Sequence, residues 1–82
     1  MKEDPVQTIG ERVSAKYKTF FDENFRQIHQ AWVPLVEVDG RLLPLYDAST
    51  VSGQMEAPSR KEALFLARCM RERLKARLRQ YS

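Results

Sequence analysis

Asp39-Gly40 stands between two short apolar runs, residues 33–38 and 42–46. An Asp-Gly step supplies the positive φ angles that a two-residue hairpin turn requires, so this pair reverses an extended chain. Pro34 and Pro44 lack the amide proton of a ladder donor, which places these strands at an edge or in irregular pairing. A hairpin over residues 33–47 is therefore the fixed point around which the rest of the chain must pack.

Both flanks read as helix. Upstream, Asp4-Pro5-Val6-Gln7 combines an N-cap residue, proline at the first helical position and glutamine at the third. Val6, Ile9, Val13, Tyr17, Phe20, Phe21 and Ile28 then fall within an arc of about 120° at a helical period, with Asn24 as the one polar break. The spacing predicts a long amphipathic helix over residues 5–31, with Tyr17, Phe20 and Phe21 in the core and His29 on the polar face. Trp32, at the junction with the hairpin, reads as a core anchor, with a stacking platform as its alternative. Downstream, residues 48–58 form a loop with a possible short third strand over 54–57. Ser59-Arg60-Lys61-Glu62 is a capping box after Pro58, and it opens a helix over 59–80 whose Ala63, Leu66, Ala67, Met70, Leu74 and Leu78 share one face. The fold class is α+β: a long N-terminal helix, a β-hairpin, and a C-terminal helix packed on a small antiparallel sheet. At 82 residues this is one domain with a thin core, a shortage that a homodimer would relieve.

Several function classes are excluded or disfavoured. Hydrophobic residues make up 43% of the chain, too many for a disordered segment. Apolar runs last only a few residues, against the roughly 20 of a membrane span. The opening Met1-Lys2-Glu3-Asp4-Pro5 is charged with no apolar stretch behind it, unlike a secretory leader, so a cytoplasmic location is expected. Cys69 and His29 are each the only one of their kind, which leaves no intrachain disulfide and no multi-cysteine zinc site. The three glycines are scattered singly and form no phosphate loop. No metal or cofactor is expected. Glu37, Asp39 and Asp47 cluster at a turn and a sheet edge rather than around a pocket, so no enzyme is expected either.

Charge is partitioned. Residues 33–58 carry a net −3 and residues 59–82 a net +6, within a total of +3. On the C-terminal helix, Lys61, Arg68, Arg71, Lys75 and Arg79 fall within about 80° of one another and run for about 27 Å. Such a stripe could follow a nucleic-acid backbone, and arginine favours bidentate phosphate contact. Cations near a helix C-terminus also complement its dipole, and a cationic face is also a common solvated face. Phe65, Cys69 and Ala76 lie opposite the main apolar arc, a second strip that a partner chain would cover.

From Val33 to Leu74 the chain resembles the second half of a double-stranded RNA-binding domain. Asp39-Gly40 sits at the turn between strands, and Ser59-Arg60-Lys61-Glu62-Ala63 opens the helix where that family has Ser-Lys-Lys-x-Ala-Lys. Leu64 stands where the family has its last phosphate-binding lysine, and the predicted long helix stands where the family places another strand. The arm-binding domains of phage-type integrases are similar in the same loose way, as a small sheet followed by a helix. Either resemblance implies backbone contact by Arg60 and Lys61.

Two functional expectations follow from these residues. The first is a non-catalytic nucleic-acid-binding protein whose last helix contacts phosphates through Arg60, Lys61, Arg68, Arg71, Lys75 and Arg79, with DNA and RNA not distinguished. The second is a dimeric protein-interaction module, such as an adaptor, inhibitor or regulatory subunit. Phe65, Cys69 and Ala76 would line its interface, and its basic stripe would meet an acidic protein partner.

Overall fold

The computed structural model describes residues 7–50 and 52–80. Three strands and one helix follow in order: β1 (Ile9–Asp22), β2 (Gln27–Val38), β3 (Arg41–Pro44) and α1 (Arg60–Gln80). The strands form one antiparallel sheet in the order β1-β2-β3. The α+β class and the helix packed on a small sheet stand; the long N-terminal helix does not.

Residues 9–22 and 27–38 are instead the two arms of a long hairpin, in register from Val13↔Val36 to Asp22↔Gln27. The physical reason lies in residue type. Val13, Tyr17, Thr19, Phe20, Phe21, Ile28, Trp32 and Val33 are β-branched or aromatic, side chains that crowd a helix and fit a pleated surface. The polar break at Asn24 is the turn itself. The Asn24 amide donates to Asp22 Oδ1 at 3.0 Å, and Arg26 takes a left-handed φ of 51° to bring the chain back. The Asp4-Pro5 helix start lies outside the described residues.

The Asp39-Gly40 turn forms as expected. Val38 pairs with Arg41 across it, and both central residues are left-handed, with φ of 52° and 82°. That combination is a type I′ turn, whose twist matches that of the flanking strands. Asp39 also anchors the start of β1: its amide donates to the Thr8 carbonyl and its carboxylate accepts from the Thr8 amide, both at 2.8 Å. The expected third strand over 54–57 is reduced to two single bridges, Tyr46 with Gln54 and Trp32 with Ala57.

Different elements cover the two faces of the sheet. By register, Val13, Ala15, Pro34 and Val36 share one face, and Val36 and Pro34 are fully buried there. The segment after β3 curls over the opposite face, where Gln54 Oε1 accepts from Lys18 Nζ at 3.4 Å and Glu56 meets His29 at 2.6 Å. The helix therefore lies on the Val13–Val36 face. Its fully buried contacts are Ala63 and Ala67, small enough for close approach to the strands. Leu66, Met70, Leu74 and Leu78 are half-buried on the same side. The helix opens on its expected cap, with Ser59 Oγ accepting from the Glu62 amide at 3.2 Å. His29 is not on a solvated helix face. It is half-buried, lies 6.3 Å from the Phe20 ring centroid, and shares Glu56 with Ser52, whose Oγ donates to Glu56 Oε2 at 2.6 Å.

Candidate nucleic-acid interface

The angular order of α1 separates its basic residues into two groups. Lys61, Arg68 and Arg79 are exposed, as is Arg60 at the helix start. Arg71 and Lys75, on the sheetward border of the same stripe, are only 20% exposed as side chains. Their charge is taken up by β1. Arg71 donates to the Glu11 carbonyl oxygen at 2.7 Å, and Lys75 pairs with the Glu11 carboxylate. Arg71 Nε also reaches Glu72 at 2.8 Å. The six expected phosphate contacts thus divide: two bolt the second half of the helix to β1, and four are exposed. Arg79 donates from Nε to the Lys75 carbonyl at 3.4 Å.

Glu11 can do this because β1 is irregular there. Between Ile9 and Val13 the strand advances four residues while its partner advances two, from Val38 to Val36. The extra residues turn the Glu11 carbonyl away from the ladder and toward the helix. Lys75 hydrogen-bonds the Glu11 carboxylate, and its charge adds to that of Arg71, so the carboxyl titrates below its usual range near 4.5. In the same bulge, Arg12 donates from side chain and backbone to Glu37 and lowers that carboxyl too.

Phe65, Cys69 and Ala76 are all exposed on the outer face of the helix, with Phe65 at 63%. They lie far around the helix from Ala63 and Ala67, and among the described residues no strand or loop covers them.

Sequence reasoning placed Tyr17 and Phe21 in a core. In the structure they are 51% and 63% exposed, on the half of the hairpin that extends past the helix. Ile28, paired with Phe21, is 70% exposed. Trp32 pairs with Tyr17, their ring centroids 5.2 Å apart, and two backbone hydrogen bonds of 3.0 and 2.8 Å tie it to Ala57. Trp32 is therefore a partly buried anchor at the point where the chain turns into α1. The alternation Val13, Ala15, Tyr17, Thr19, Phe21 was the signal that could have revealed this face.

A strand, β1, precedes the 33–74 segment where the spacing predicted a long helix. The described helix is not long and apolar enough to cross a membrane. Comparison with protein-family models, with curated proteins and with solved structures gave no match.

Proposed function

We propose that this chain binds nucleic acid without catalysis, holding the phosphate backbone along the side of α1 that carries Lys61 and Arg68. The observation that carries this reading is the division of the basic stripe. Arg71 and Lys75 are engaged by β1, while Lys61 and Arg68 are exposed and take part in none of the ion pairs among the described residues. Lys61, Arg68 and, farther along, Arg79 lie on one side of α1 over about 27 Å. A straight cationic row of this length matches several consecutive phosphates.

Fluorescence anisotropy against short oligonucleotides at about 50 and 200 mM salt tests the reading. Affinity should fall steeply with salt, and Lys61→Ala or Arg68→Ala should each flatten the log–log salt slope by about one. No binding at the lower salt would overturn it. Charge reversal at Arg71 or Lys75 is the wrong test, because it would also release the helix from Glu11.

A second reading is favoured by Phe65. A phenylalanine that is 63% exposed at the centre of a helix face, beside exposed Cys69 and Ala76, suits an interface with another protein chain. Light scattering would then give a dimer that Phe65→Asp dissociates, and oligonucleotides would leave the anisotropy unchanged.

A further inference from the structure

The uncovered half of the hairpin presents a face of unusual composition. By register, Tyr17↔Trp32, Thr19↔Gln30 and Phe21↔Ile28 point to one side. From residue 13 to 21 and from 28 to 36, that side carries no ionisable side chain except the Tyr17 phenol. Its polar groups are turned on one another: Tyr17 donates to Gln30 Oε1 at 3.0 Å, and Gln30 donates to Thr19 Oγ1 at 3.4 Å. Rings are left as the accessible feature. Phe21 lies four residues beyond Tyr17, about 13 Å along the strand.

One border of this face is cationic. Arg71 and Lys75 reach β1, so the side of α1 that bears them is the side turned toward β1. Lys61 and Arg68 belong to the outward part of the same stripe, nearer the helix start. The helix start in turn follows directly on Ala57, which is stitched to Trp32. The exposed rings and the helix that carries the exposed cations thus lie on the same side of the sheet, joined through Ala57 and Trp32.

We infer that the sheet face of Tyr17, Phe21 and Trp32 is a stacking platform for the bases of single-stranded nucleic acid, with Lys61 and Arg68 on the adjoining phosphates. This rests on the preceding reading that the chain binds nucleic acid, and it names the kind. An aromatic floor beside a basic wall is the chemistry that single strands use, because every base offers a π-face whatever its sequence. A duplex hides those faces in its stack and offers only groove edges. The groups that could hydrogen-bond such edges, on Gln30, Thr19 and Tyr17, are occupied with one another. A second copy of this chain fits less well. Tyr17, Phe21 and Ile28 together expose roughly 350 Å², below the roughly 800 Å² per partner of a standard stable interface. Closing two copies face to face would also bring their cationic walls together.

The test titrates the wild-type chain and Phe21→Ala with a labelled 12-nucleotide single strand, an abasic strand of equal length, and DNA and RNA duplexes. The base-bearing strand should bind at least tenfold more tightly than the abasic one. Phe21→Ala should weaken it roughly tenfold while leaving the salt slope unchanged. The substitution removes an exposed ring, and a thermal melt checks that the variant is folded; the abasic comparison on the wild-type chain decides even if it is not. Equal binding of abasic and base-bearing strands would overturn the platform and leave the nucleic-acid reading standing. So would duplex binding at least as tight as single-strand binding and unmoved by Phe21→Ala. Failure of every oligonucleotide would overturn both. A dimer that Phe21→Ala dissociates, with strand binding unaltered, would assign the face to a second copy and also overturn the platform.

Discussion

Glu11 lies in the bulge of β1 and holds two cations of α1, one through its backbone oxygen and one through its carboxylate. Because Lys75 lowers its folded-state pKa, the pairing stabilises the fold above the ordinary carboxylate range near 4.5 and is lost as pH falls through the lowered value. Glu37, lowered by Arg12, and Asp47, lowered by the Ser49 hydroxyl and amide, act in the same direction. Melting temperature should therefore drop between pH 7 and pH 3. Glu11→Gln should lower the melting temperature at pH 7 and make the drop toward acid smaller; an unchanged pH profile would remove the Glu11 strap from the account. Gly40 gives a purely conformational test. Its φ is 82° and nothing lies within 4 Å of the position its Cβ would occupy. Gly40→Ala should cost about 1 kcal/mol in denaturant unfolding, all of it from the left-handed backbone.

At the level of elements, the sequence was legible where local signals are self-sufficient. The Asp39-Gly40 turn and the Ser59 cap each specify their geometry through one or two residues, and both form as read. Ser59→Ala should cost about 1 kcal/mol, measured by urea unfolding followed at the helical ellipticity. The first 31 residues were illegible for a physical reason. β1 carries Tyr17 and Phe21 on one face, while Phe20 interrupts the otherwise polar row Ser14, Lys16, Lys18 and Asp22 on the other, beside the His29–Glu56 clamp. Placing Phe20 and Phe21 side by side blurs a period of two and mimics a helical row. The arrangement that settles it, β2 paired with β1 on one edge and with β3 and Ala57 on the other, draws on partners as far apart as Ile9 and Val38 or Trp32 and Ala57, beyond the reach of a local pattern. The basic stripe followed the same rule. Its angular spacing was readable, but the bulge that diverts Arg71 and Lys75 to Glu11 was not, and the aromatic face was hidden by assigning its rings to a helix core.

As a whole molecule the chain is long and thin, 48 × 31 × 19 Å, and among the described residues no fully buried side chain is larger than valine. Its stability rests on close approach rather than on bulk. Ala67 is fully buried at the helix–sheet contact, so Ala67→Leu should push the helix off the strands and cost about 1–3 kcal/mol, seen as a lower denaturation midpoint. The hairpin beyond the helix has little core of its own, which leaves its rings available as surface. Trp32 stands where these parts meet, against Tyr17 and tied to Ala57, and it is the chain's single tryptophan. The protein thus carries its own optical reporter: indole emission, fed by energy transfer from the phenol ring 5.2 Å away, would register a ligand on this face of the sheet or the helix lifting from it, without any attached dye.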